Sequence, residues 1–179
     1  MDIVHKLYEQ LSQQLRQDDR VYDCEKIEKE FHYAMEHHAD QRRSSGEPYI
    51  CHPLNVAMIT AELGLDSDSV VAALLHDTIE DTDATFDTIK EMFGKSVAEL
   101  VDGVTKIGKI PYSSKEEEQI EYLRKMFFAM AKDLRVIIIK LADRLHNMRT
   151  IEGHKSETKK RDIAKETLDI YAPIAHRLG

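Results

Sequence analysis

The sequence predicts an all-α fold, a single-domain helical bundle whose loops carry the functional site. Three observations predict it. Only 7 Gly and 4 Pro interrupt 179 residues, which leaves room for long helices. Apolar residues recur at helical spacing along nearly the whole chain. No repeat, low-complexity run or linker divides it, and the length suits one domain with a sizeable core.

Each element has its own signal. Asp2 to about Gln17 reads as an amphipathic helix on Ile3, Leu7, Leu11 and Leu15, and Asp23 to about Asp40 as a second on Ile27, Phe31, Ala34 and His38. Residues 41–49 are a loop by their turn residues. Pro53 suits the first turn of a third helix, which Gly64 closes after Leu63. Asp66 or Ser67 opens a fourth through Val70, Val71, Leu74 and Leu75, and a short helix spans Phe86 to Phe93, stopped by Gly94. Ser96 with Glu99, and Ser114 with Glu117, read as capping boxes; the second leads into a stripe of Ile120, Leu123, Phe127 and Met130, with Met126 counted in the core. Asp133 caps Leu134 to about Thr150. The run Val136–Ile139 has strand composition, but the residues after it continue at helical period and a lone strand has no partner here. The last helix runs from Ser156 to about Ala172, where Pro173 interrupts it.

Composition excludes several classes. The chain has 25 Lys+Arg against 33 Asp+Glu, a net charge of −8. That argues against a general nucleic-acid binder, whose affinity comes mostly from neutralised phosphates. No apolar run approaches the roughly 20 residues of a membrane span, and no secretory signal opens the chain. Two cysteines, Cys24 and Cys51, make no disulfide scaffold, so a cytoplasmic location is expected.

His76-Asp77 ends the apolar fourth helix. With His52 and Asp143 it gives the order His, His-Asp, Asp, with 24 residues from His52 to His76 and 66 from Asp77 to Asp143. Imidazole nitrogens mixed with carboxylate oxygens suit Mn²⁺, Fe²⁺ or Zn²⁺, with positions left open for water or phosphate oxygen. A His-Asp pair alone is commonly a helix cap or a surface pair, so the case rests on its surroundings. Asp77, Glu80, Asp81 and Asp83 crowd one short segment, which is repulsive unless a cation compensates. In a continuing helix, His76/Glu80 and Asp77/Asp81 form i,i+4 pairs. Asp143, His146, Asn147 and Thr150 share one face of their helix. That polar stripe either faces water or lines a cleft.

The segments Arg43-Ser-Ser-Gly-Glu-Pro-Tyr-Ile-Cys-His-Pro53, His76-Asp-Thr-Ile-Glu-Asp-Thr82, Val101-Asp-Gly-Val-Thr-Lys106, Lys140-Leu-Ala-Asp-Arg-Leu-His-Asn-Met-Arg-Thr150 and Tyr171-Ala-Pro-Ile-Ala-His-Arg-Leu-Gly179 closely resemble the N-terminal hydrolase domain of the bifunctional (p)ppGpp synthetase/hydrolase (Rel/Spo homologue) family. That domain belongs to the HD metal-dependent phosphohydrolases, and the resemblance covers essentially the whole chain. It implies a cytoplasmic enzyme of stringent-response alarmone turnover. Its substrate would be guanosine 3′,5′-bis(diphosphate) (ppGpp) or the pentaphosphate, hydrolysed at the 3′-diphosphate to GDP or GTP plus pyrophosphate. It implies one Mn²⁺ on His52, His76, Asp77 and Asp143, with Glu80 and Asp81 as the catalytic acidic pair. It implies that Arg43 stacks on the guanine and that Tyr49, Asn147 and Thr150 line the sugar and phosphates. Ser45 and Arg144 complete the substrate-binding set; Arg144 and Lys140 sit one turn apart, and each either meets the 5′-diphosphate or only pairs with acids. Ser44 stands where the family usually has Lys. His146 is assigned a structural place beside the site, while His38 and His154 have no partner pattern and read as solvated or packed. Full-length members continue into a synthetase domain. Two other readings are an HD phosphohydrolase of another nucleotide and a non-catalytic alarmone-binding domain. The Arg43–Tyr49 motif argues against the first, and the intact Glu80 and Asp81 against the second.

Overall fold

The computed structural model describes residues 2–111 and 116–179. It is all-α, with no strand among the described residues; an isolated bridge pairs Arg42 with Pro48 inside a loop. The first four helices are α1 (Ile3–Gln17), α2 (Cys24–His37), α3 (Cys51–Glu62) and α4 (Ser67–Leu75). They are followed by α5 (Thr78–Asp81), α6 (Phe86–Phe93), α7 (Lys95–Gly108) and α8 (Glu116–Lys132). Then come α9 (Leu134–Arg149), a 3₁₀ turn (Ile151–Gly153), α10 (Glu157–Glu166), a π turn (Thr167–Tyr171) and α11 (Ala172–Leu178). No helix among the described residues is long and apolar enough to cross a membrane.

The core sits where α3, α4, α7 and α9 meet. α4 is its centre: Ser69 through Leu75 are all buried, so this helix has no solvent face. Each buried Val or Leu there contributes roughly 1.5–3 kcal/mol. α1 covers α3, α2 covers α4, and α8 lies on α9. The Ile-rich run folds as helix and buries Val136, Ile137 and Ile139. Side-chain caps start the helices where the sequence places them: Asp23, Asp66, Thr85, Asp133 and Ser156 each accept a backbone N–H two or three residues on. Gly64 closes α3 at φ +80°.

Several expectations need correction. α1 buries Val4 and leaves Ile3 exposed. Ser96 caps nothing: α7 starts at Lys95 directly behind Gly94, whose φ of +97° ends α6 and opens α7 at one residue. The Ser96 hydroxyl instead lies beside Asp68, where with Lys26 it helps hold that carboxyl below its ordinary range against burial. The Ser114 box lies outside the described residues. On α8 the buried pair is Tyr122 and Met126, one turn apart, while Ile120 and Phe127 are 64% and 50% exposed. Leu123 and Met130 of the stripe read from the sequence pack against the core, and Ile120 and Phe127 do not. Pro173 does not end the last helix. The Ala172 N–H donates to the Thr167 carbonyl five residues back, and this widened turn admits the ring that would clash in a regular helix.

Candidate metal centre and cleft

Packing of α3 and α4 on each other and on α9 gathers residues distant in sequence. His52 comes from the first turn of α3, and Asp143 from α9. His76 and Asp77 occupy a two-residue break between α4 and α5, so α4 ends where the sequence places its end and the i,i+4 pairs of a continuing helix do not apply. Asp77 stands at the N-cap of α5 yet makes no capping bond, and its carboxylate turns toward the imidazoles. His52 Nε2 lies 3.0 Å from Asp143 Oδ1 and 3.8 Å from Asp77 Oδ2. His76 Nε2 lies 3.0 Å from Asp77 Oδ2 and 3.8 Å from Asp143 Oδ1. Donor atoms of His52, His76 and Asp143, all buried, fall within 4.8 Å of one another and could hold a metal ion. Asp77 adjoins them.

The donor set fits a cation. His76 Nδ1 is 2.7 Å from the Ala73 carbonyl, which can only accept, so Nδ1 carries the proton. In the neutral ring Nε2 is then a lone pair aimed at two carboxylates. This buried nitrogen has no well-aligned hydrogen-bond partner. Such an arrangement is favourable only with a positive charge between the atoms. Without a metal that charge is a proton: burial opposes it, but Asp77 and Asp143 push the His76 imidazole up to about 9. Burial likewise opposes ionisation of Asp77 and Asp143. It is outweighed by His76 for the first and by Lys140 and the two imidazoles for the second, so both stay ionised well below the usual carboxylate range. Lys140 Nζ sits 2.6 Å from Asp143 Oδ2.

A cleft of about 380 Å³ opens over this cluster. Arg43, Ser44, Ser45, Tyr49, Glu80, Asp81, Asn147 and Thr150 line it together with His52, Asp77 and Asp143. The Arg43 loop is closed by mutual backbone bonds, Arg43 N–H to the Glu47 carbonyl at 3.0 Å and Gly46 N–H to the Arg43 carbonyl at 2.9 Å. Its guanidinium donates to Thr150 Oγ1 at 3.0 Å and Asn147 Oδ1 at 3.3 Å, while Asn147 Nδ2 donates to Asp143 Oδ1 at 2.7 Å. The Tyr49 hydroxyl donates to Asp77 Oδ2 at 2.6 Å and is 3.2 Å from Asp81 Oδ2. Burial and these carboxylates raise its pKa, so it stays a donor. Glu80 and Asp81 are exposed at the mouth.

Arg144 is a correction. It lies on another side of α9, bonded to Glu166 at 2.8 Å and stacked 4.4 Å over the Tyr171 ring, and it does not line the cleft. At about 100° per residue Arg144 stands 100° round the helix from Asp143 but only about 40° from Lys140, so it is Glu166 and Tyr171 that draw its side chain away from the cleft. His154 lines the cleft, which its sequence context did not signal. His38 is buried, bonded through Nδ1 to Gln41 at 2.8 Å and set against the Tyr49 ring. Gly108 also lines the cleft, and a Cβ there would meet Lys140 Nζ at 3.5 Å and Glu80 Oε2 at 3.6 Å, ordinary contact distances.

Known proteins share this arrangement of sequence. The HD domain family matches residues 31–179. The guanosine-3′,5′-bis(diphosphate) 3′-pyrophosphohydrolase of Aquifex aeolicus is 57% identical over 156 residues, covering 87% of this chain and 22% of the relative. The bifunctional (p)ppGpp synthase/hydrolase SpoT of Escherichia coli is 51% identical over 173 residues, 97% of this chain and 24% of the relative. The chain thus spans about a quarter of the length of these curated relatives. A solved structure of a metazoan ortholog of SpoT, described as hydrolysing ppGpp, superposes with a TM-score of 0.66 at 31% identity, covering 84% of this chain and 87% of that one. With a family match over most of its length and a solved ortholog of SpoT sharing its fold and 31% of the aligned residues, the chain belongs to the HD domain family, in the group that contains SpoT.

Proposed function

We propose that residues 1–179 act as one hydrolase domain that removes the 3′-diphosphate of ppGpp and its pentaphosphate as pyrophosphate, leaving GDP or GTP. The observation that carries the reading is the convergence of His52, His76, Asp77 and Asp143 beneath a cleft with Glu80 and Asp81 at its mouth and Arg43 on its wall. The relatives' names support the same substrate. Mn²⁺ is the proposed ion, held by those four residues, and when bound it supplies a Lewis acid at the phosphoryl group. Glu80 and Asp81 jointly orient the attacking water, take its proton and return one to the departing 3′-oxygen. The water oxygen bonds to phosphorus as the bond to the 3′-oxygen breaks. Arg43 offers a planar guanidinium to the guanine, and Ser45, Tyr49, Asn147 and Thr150 place the sugar and phosphates. Lys140 faces the cleft, which Arg144 does not, and takes the place proposed for a phosphate-side cation. The setting is cytoplasmic, with a synthetase domain beside this one in the full-length family.

The test is pyrophosphate release from ppGpp by metal-stripped protein, with and without Mn²⁺. Release is expected only with the ion, and Asp77→Ala is expected to lower it about a hundredfold or more, beyond the usual cost of losing a residue that merely supports a ligand. Binding without release by folded, ion-loaded protein would replace the hydrolase with a sensing domain. Faster turnover of another nucleotide would replace the substrate.

A further inference from the structure

Two imidazoles face the metal cluster, and each has the same requirement at its far nitrogen. A histidine that offers its Nε2 lone pair to a cation keeps its proton on Nδ1, and that N–H needs an acceptor. For His76 the acceptor is the Ala73 carbonyl. For His52 it is another ring: His52 Nδ1 lies 2.7 Å from His146 Nδ1. Both residues are buried, 2% and 6% exposed, with ring centroids 4.9 Å apart. Two ring nitrogens that close share one proton, so one donates and the other accepts. If His146 donated, His52 would carry its proton on Nε2, pointed at Asp143, and would have no lone pair for an ion.

We infer that His146 is a positioning residue for the metal centre: its unprotonated Nδ1 accepts the His52 Nδ1–H and so leaves the His52 Nε2 lone pair directed at the ion. His146 then carries its own proton on Nε2. Asp143 and His146 lie three residues apart on α9, so one helix face supplies a ligand and also the support for a ligand on α3. The inference rests on the metal reading proposed above.

The test uses side chains that separate the two ring nitrogens. In His146→Asn the amide oxygen takes the place of Nδ1 and can still accept; in His146→Gln the amide lies one bond further out, where Nε2 was. Mn²⁺ affinity is read from the free-ion electron spin resonance signal, and the fold of metal-free protein from circular dichroism. His146→Asn is expected to bind within about threefold of wild type, and His146→Gln and His146→Leu about 10- to 100-fold more weakly, with the metal-free fold kept. Equal affinity of the Asn and Gln variants would overturn the inference. If the variants do not fold, ring ¹⁵N spectra of Zn²⁺-loaded wild type decide: a proton on His52 Nδ1 and on His146 Nε2 is expected, and the reverse refutes it. Asp143→Asn tests the metal reading separately. Wild type that binds no Mn²⁺ sinks that reading and the inference with it. Tight wild-type binding with an indifferent His146→Gln sinks the inference alone.

Discussion

Glu30 lies on the core side of α2, 0% exposed, with neither carboxylate oxygen hydrogen-bonded. Burial pushes its carboxyl up to about 7 from 4.5, with its own backbone and then Lys26 pulling the other way. For an acid with a raised folded value, the folded state holds a proton that the unfolded chain has lost. Stability therefore falls as pH rises from about 4.5 to about 7, and the full cost, roughly 3 kcal/mol, persists above that window. Glu30→Gln is expected to gain about 1–3 kcal/mol at pH 8 and little at pH 4.5, the buried amide offsetting part of the gain. Urea unfolding at the two pH values checks this; an equal gain at both would exclude the buried carboxylate as the cause. The four candidate metal-ligating side chains are a different case, because their order in the sequence and their surroundings marked them as one group. His52, His76, Asp77 and Asp143 meet as read, whereas Arg144 and His154 changed places with respect to the cleft. A helix face is fixed by period, but which of two adjacent long side chains turns toward a cavity is fixed by neighbours such as Glu166 and Tyr171, and these come from elements far along the chain.

α7 crosses α9 at a glycine. A Cβ on Gly103 would meet Val136 Cγ2 at 2.8 Å and Cγ1 at 3.0 Å. Val136 is β-branched and stiff within its helix, so it cannot swing aside cheaply. Gly103→Ala is expected to destabilise by about 1–2 kcal/mol, overpacking of about 1–3 kcal/mol offset by the better helix propensity of Ala. In a Val136→Ala background the same change is expected to become neutral or stabilising, so a double-mutant cycle by thermal unfolding measures the contact. Helix starts were the most legible feature, because Asp23, Asp66, Asp133 and Ser156 carry their capping oxygen in the side chain. The end of the fourth helix at His76-Asp77 was read from the sequence, whereas the π turn before Pro173 was not. At the break His76 and Asp77 both keep α-region backbone angles, so the interruption is slight in backbone terms. On α8 the stripe was legible in part: a helix with apolar residues on two faces is oriented by its partner, here α9, which receives Met126 and leaves Ile120 and Phe127 outside.

At the scale of the molecule, the proposed ion ties α3, the α4–α5 break and α9 at one point. A ligand that binds only the folded state stabilises by mass action, about 2.7 kcal/mol at a hundred times its Kd. For a chain of 179 residues that is a rise in Tm of about 5–10 °C. The rise is expected with Mn²⁺, to be reversed by chelation and to be absent in Asp143→Asn; a Tm indifferent to the ion in wild type would separate the helices' stability from the metal. The same break after α4 decides where this chain tolerates a change in length. An added residue within α4 turns everything beyond it by about 100° and shifts it by about 1.5 Å. With Ser69 through Leu75 buried, no face is available along which to slide back into register. Past Asp81 the chain bends at Thr82 and the exposed Asp83 before α6 begins, and a residue gained or lost there leaves His76 and Asp77 in place. Between α4 and α6, then, a change in length is expected to keep the fold and the metal cluster only when it falls beyond the acidic pair.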